Sequence, residues 1–199
     1  MLKDLSLKLH SLTVFRNLLS DPVIENLLSF LDIVSTENKE LSIDFYSSFV
    51  KSLYDSGFQS LGSYIAEVAS SDENVYIRYK TKKAQLPDAV AESAENELSV
   101  LQEVCDLTAE KLTSLISYSG FLPSFKEEKL NLAEIYVHRM ENIHEYGYGM
   151  YAKYRMFYLS ESRIVPVVNP DRTTLSELID YKREQKIILD NTTALLSGK

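Results

Sequence analysis

The chain has 199 residues, 45% hydrophobic and 25% charged, enough to bury a continuous core in one large domain or two small ones; this composition excludes a disordered or fibrous chain. A formal net charge of -8 opposes general affinity for phosphate backbones, which depends on clustered cations, so nucleic acid is a disfavoured partner. No run approaches the roughly eighteen apolar residues that span a bilayer, and Asp4 sits in an amphipathic pattern instead of a signal-peptide core, so no membrane span and a cytoplasmic location are expected.

Leu2, Leu5, Leu9, Leu12, Phe15 and Leu19 recur at three- and four-residue steps and predict an amphipathic helix from about Leu2 to Leu19. Asp21-Pro22 supplies an N-cap and a first helical position, and Val23, Leu27, Phe30 or Leu31, and Val34 form the stripe of a second helix. Phe45, Phe49 and Leu53 mark a third helix and Phe58, Leu61, Ile65 and Val68 a fourth, with Asp55-Ser-Gly57 as the break between them. Each stripe needs a neighbour to cover it, which implies a bundle.

Ser70-Ser-Asp-Glu73 has capping-box spacing ahead of a short helix near Val75–Tyr79. Pro87-Asp88 opens a helix to about Cys105, and Thr108 caps another through Ile116. Gly120 to Pro123 interrupts the pattern. Ser124-Phe-Lys-Glu127 is a further capping box, and the helix after it should run through Leu132, Ile135, Met140 and Ile143 to about Gly147. Seven or eight helices with short connections result, without a repeat period.

After Gly147 the composition shifts, with Tyr146, Tyr148, Tyr151, Tyr154 and Tyr158 crowded beside Met150, Met156 and Phe157. Arg155 to Leu159 and Arg163 to Val168 could pair as a small hairpin around Ser160-Glu-Ser162, with Pro166 confining its strand to an edge. The fold class is therefore mainly α, a multi-helix bundle with a small hairpin near 155–168. Its expected organisation is a helical domain over 1–150, a Tyr-rich connector or hairpin over 151–170, and a helical segment over 171–199.

Few residues propose chemistry. Glu141-x-x-His144 has the spacing of di-iron bundles, but such sites need a second copy and two further carboxylates, and neither His10 nor His138 is preceded by Glu at that spacing; a polar helix face is the commoner use. No nucleophile elbow is present, and Gly147-Tyr-Gly149 lacks the third glycine and preceding strand of a dinucleotide fingerprint, so it reads as a helix end. Cys105 shares a helical face with Leu98 and Leu101 and reads as a buried hydrophobe rather than a nucleophile. Arg78, Lys80, Lys82 and Lys83, interleaved with Tyr76 and Tyr79, could hold RNA or an anionic surface, yet charge runs are usually solvated. The tyrosines suit either a docking surface or a core, and the near-helical spacing of Tyr151, Tyr154 and Tyr158 favours the core.

Near the C-terminus, Thr174-Leu-Ser-Glu177 is a capping box, and a charged helical run from about Lys182 to Leu196 ends in Ser197-Gly198. Asn169-Pro-Asp171, Leu175-x-x-Leu178-Ile179-x-Tyr181, Leu189-Asp190-Asn191-Thr192 and Leu195-Leu196-x-Gly198 together resemble the lead-in to the Walker A strand of AAA-type ATPases. More closely, they are similar to a bacterial family of such ATPases, known mainly as a domain of unknown function, whose members carry a long helical region before the ATPase core. Asn74 to Phe125 and Gly147 to Val168 resemble that region by loose pattern. The resemblance implies ATP and magnesium for a longer protein and a truncation here before Walker A, since Gly198-Lys199 follows no glycine-rich loop. It places Leu178, Ile179 and Tyr181 on the adenine side, while Asp180 stands where the family usually has glycine. The expected role is recognition, regulation or oligomer contact by a non-catalytic N-terminal domain. Its partner is the missing ATPase core, an unknown protein or a second copy. The alternative is a stand-alone helical interaction adaptor.

Overall fold

The structure, a computed structural model, describes residues 2–36, 38–171, 173–177 and 179–197. The first apolar stripe forms α1 (Leu2–His10), shorter than its periodicity predicts. The chain leaves the helix because the N–H groups of Thr13, Val14 and Phe15 turn to the buried carboxylate of Glu97, at 2.9, 3.1 and 2.9 Å, and are withheld from helical carbonyls. A 3-10 helix, Arg16–Ser20, follows, and Leu12, Phe15 and Leu18 stay buried without a continuous helix.

Asp21 caps α2 (Pro22–Ile33), as its position before proline predicts, accepting from the N–H groups of Val23 at 3.0 Å and Ile24 at 3.3 Å. Asn38 caps α3 (Lys39–Asp55), which packs along α2 with the Phe30 and Tyr46 rings edge to face. Gly57, at φ 81°, turns the chain before α4 (Leu61–Ser71). From α4 the Tyr64 hydroxyl donates to the Asp21 carboxylate at 2.7 Å, and burial followed by that bond pushes the phenol's pKa up. Asp21→Ala thus removes a cap and strands a buried hydroxyl, and is expected to lower unfolding free energy by about 2 kcal/mol in a urea titration.

The cap of α5 (Val75–Thr81) is Asn74, which accepts from the Ile77 N–H at 3.0 Å; Ser70 and Ser71 remain inside α4, so the expected capping box at 70–73 is not used. Both α6 (Asp88–Cys105) and the Thr108 cap of α7 (Ala109–Thr113) match expectation, although α7 stops short of Ile116. The second capping box also fails: Ser124–Glu127 does not start a helix. Phe125 is drawn into the core against Phe49, and the Lys126 N–H donates to the Gln59 carbonyl at 2.8 Å, which holds this stretch extended. The helix α8 (Leu132–Glu141) starts where Asn131 caps it and the Gln102 side-chain oxygen accepts the Leu132 N–H at 2.8 Å. Two single turns, α9 (Ile143–Tyr146) and α10 (Met150–Lys153), follow, with Gly147 ending α9 at φ 70°.

The chain divides into two units, Met1–Lys153 and Tyr154–Lys199. Every buried hydrophobic residue described lies between Leu5 and Met140, so the core belongs to the first unit. The second unit holds an antiparallel hairpin, β1 (Phe157–Ser160) and β2 (Arg163–Pro166), with Ser160 opposite Arg163. Glu161 and Ser162, at φ 48° and 65°, form the left-handed two-residue turn that matches strand twist. The Thr174 N–H and hydroxyl both donate to the Glu177 carboxylate, at 2.6 and 2.9 Å, around one 3-10 turn, Leu175–Glu177, rather than opening a longer helix, and α11 (Lys182–Leu196) spans the run its sequence predicts. Gly198 and Lys199 lie outside the described residues. The fold is mainly α, a helical bundle with a small hairpin.

Candidate functional site

Of the residues assigned to an adenine side, Leu178 lies outside the described residues, while Ile179 is 79% and Tyr181 56% exposed just before α11. Between them Asp180 is left-handed at φ 68°, a conformation more natural to glycine. Other apolar residues of the second unit are exposed as well: Leu159 is 74% exposed and Val168 66%, and Ile187, Ile188 and Leu189 of α11 are also open.

The tyrosines do not form the expected core. Tyr148 packs against the hydrophobic core, but Tyr146, Tyr151 and Tyr158 are exposed, because α9 and α10 are single turns separated by left-handed glycines and Tyr158 falls in β1. No continuous helical stripe survives. Arg78, Lys80, Lys82 and Lys83 are all exposed, with the Lys80 ammonium 5.4 Å from the Tyr76 ring centroid, as a solvated helix end would have them. Glu141 ends α8 whereas His144 lies in α9, so they do not share a helix; among the described residues no group of three or more His, Cys, Asp or Glu could hold a metal.

Among the clefts that open in the first unit, two differ clearly in their lining. One, about 690 Å³, lies between the start of α4, the end of α6 and the extended stretch 126–131, where Lys111, Lys126 and Lys129 alternate with Asp106, Glu127 and Glu128. That balance gives no preference for either sign of ligand charge. Cys105 stands in its wall, and burial pushes its thiol up to about 12, so it is protonated and inert at neutral pH. At pH 8 a thiol reagent should modify the native chain about a hundredfold or more slower than the urea-unfolded chain, because the thiolate is the nucleophile. The other cleft, about 560 Å³, runs between α5, α6 and α8 over Ala91, Ala94, Ala133 and Val137, with Tyr76, Tyr136 and Glu95 at its sides. Its lining favours an apolar occupant.

Sequence reasoning missed a polar cluster beneath α8. Asp72, Asn74 and Tyr136 meet where α4 ends and α5 begins, and one side-chain atom of each is buried without a hydrogen-bond partner. Asn17 donates to the other Asp72 oxygen at 3.0 Å. Burial pushes both the Asp72 carboxyl and the Tyr136 phenol up. No sequence signal marked it: the capping-box spacing of Ser70-Ser-Asp-Glu73 gives roles to Ser70 and Glu73 only.

No family model, curated protein or solved structure matches this chain. Among the described residues no helix is long and apolar enough to cross a membrane. Among the described residues the side chains present a buried, protonated thiol, clefts of mixed-charge and apolar lining in the first unit, and exposed apolar residues in the second.

Proposed function

We propose that this chain is the helical N-terminal region of a cytoplasmic AAA-type ATPase, serving recognition, regulation or oligomer contact while hydrolysis belongs to a core that follows it. The observation that carries the reading is the second unit: its hairpin and α11 have no buried hydrophobic residue among those described and expose Ile179, Tyr181 and Ile187–Leu189. Apolar surface of this extent is stabilised when a neighbour removes it from water, at roughly 25 cal/mol per Å². The resemblance of 169–198 to a Walker A lead-in names that neighbour. The left-handed Asp180, at the family's usual glycine position, adds support. ATP and magnesium are then ligands of the core, with Leu178, Ile179 and Tyr181 lending one apolar side to the adenine pocket.

Reading the frame downstream of codon 199 and assaying the longer product for ATP hydrolysis tests this proposal. A Gly-x-x-x-x-Gly-Lys-Ser/Thr loop with magnesium-dependent turnover supports it, and a stop codon sinks it. The second reading, a helical interaction adaptor, is favoured by the self-contained core of the first unit and by Phe121, 89% exposed beside Tyr118 on the loop after α7. Under that reading Phe121→Ser weakens partner capture without changing stability, whereas the ATPase reading makes no such demand.

A further inference from the structure

The stretch from Phe125 to Leu130 is pinned along its length to the first unit. Phe125 packs against Phe49, the Lys126 N–H donates to the Gln59 carbonyl at 2.8 Å, the Ser63 hydroxyl donates to the Glu128 carboxylate, and the Leu130 carbonyl accepts from the Gln102 side chain at 3.1 Å. Gly62 lets it lie this close, since a Cβ there would stand 3.2 Å from the Leu130 side chain. Ser60 and Lys126 form a parallel bridge, so the stretch already pairs as a strand beside the start of α4. Holding it in advance lowers the entropy that a further contact would cost.

One edge of this strand is used and the other is open. In an extended chain, the main-chain groups of successive residues point to opposite edges. The two main-chain anchors fall on Lys126 and Leu130, an even step apart, and both turn toward the protein. The N–H and C=O groups of Glu127 and Lys129 therefore face the other edge, and none of them has a hydrogen bond among the described residues. Both residues are exposed and line the cleft of about 690 Å³, which leaves room for another backbone alongside. Unpaired edge groups of this kind are a template for a further strand.

The charges of Lys126-Glu-Glu-Lys129 select that strand. When the same stretch of a second copy lies antiparallel with the two-fold axis at Glu128, Glu127 of each copy meets Lys129 of the other. Moving the axis to Glu127 sets glutamate against glutamate, and moving it to Lys129 sets lysine against lysine. Of the registers that bring these open edges together, the one about Glu128 thus joins opposite charges at both bonded positions, where cross-strand pairs count most. At the axis each Glu128 carboxylate is held by the Ser63 hydroxyl of its own chain. The pairing closes on itself, because the other edge of each strand is already taken at Gln59.

We propose that residues 126–130 are a self-pairing edge through which two copies of this chain join antiparallel about Glu128. The contact is short beside the roughly 20–30 residues a side of a standard interface, so association is weak and reversible. It lies wholly in the first unit and does not depend on an ATPase core following the chain.

The test is sedimentation of the full chain at low salt over rising concentration, with the backbone amides followed by NMR. Wild type is expected to self-associate, and the Glu127 and Lys129 amides to shift with concentration. Glu127→Lys sets lysine against lysine at both pairs, and Lys129→Glu sets glutamate against glutamate. Each alone is expected to weaken association by about tenfold. Both positions are exposed, so both variants are expected to fold. Mixed in equal amounts, the two variants again oppose lysine to glutamate and should associate as well as wild type, a recovery that a merely structural role would not give. Variants that associate like wild type, a mixture that does not recover, or a wild type that is monomeric throughout would each overturn the proposal. A monomeric wild type whose Glu127 and Lys129 amides shift on adding the end-blocked peptide Val-Glu-Val-Lys-Val would overturn the second copy as occupant and assign the edge to a foreign strand.

Discussion

Glu97→Ala lowers the stability of the folded chain by about 3–5 kcal/mol, read as a fall in the urea midpoint at unchanged slope. The carboxylate accepts the N–H groups of Thr13, Val14 and Phe15 within 3.1 Å, at a place only 8% exposed. Removing it strands several buried donors together, each worth about 1–3 kcal/mol when left unmade, with water reaching the Thr13 side first. Glu97→Gln is expected to lose about half as much, because its oxygen still accepts while its NH₂ group confronts one N–H. A loss below about 1 kcal/mol for the alanine variant would mean that the turn after α1 reorganises or hydrates freely.

Phe49→Ala is expected to lower stability by about 3–5 kcal/mol, the usual range for emptying a large aromatic site in a core. Phe49 is fully buried, with ring centroids 6.3 Å from Tyr46 and 5.7 Å from Phe125, the latter edge to face. The Phe125 contact anchors the extended stretch after Pro123, so this variant should also cost the Lys126 amide its exchange protection, measurable by NMR. Retained protection at Lys126 would show that the bond to Gln59 holds the stretch without the aromatic contact.

The candidate surfaces were less legible than the helices. Asp21, Asn38, Asn74 and Thr108 act on backbone N–H groups two or three residues ahead, a local interaction, yet only Asp21 and Thr108 were singled out from sequence. Ser70 and Ser124 have the same local chemistry as true caps and are not used. What decides against them is distant: Asn74 supplies the cap of α5, and Phe125 gains more by burial against Phe49 than a helix start at Ser124 would gain from one hydroxyl. Asp72 carried no sequence signal for its buried role, because Asn17, Tyr136 and Lys153 meet it only through folding.

By itself the sequence determined the helical class, the extents of α2, α6 and α11, a hairpin within residues 155–168, and the buried, unreactive setting of Cys105, since periodicity, proline, capping and turn chemistry act within a few residues. Tertiary structure decided where α1 stops, reinforced the local Asn131 cap that starts α8 at Leu132, and showed that the tyrosines after Gly147 stay largely outside the core. In the first two cases a side chain remote in sequence, Glu97 or Gln102, accepts backbone N–H groups that hydrophobic periodicity had assigned to a continuing helix. In the third, left-handed glycines break the stripe on which the tyrosines would have lined up. Hydrogen bonds to buried donors are expensive to leave unmade, so the partner that folding brings within reach outranks the local pattern.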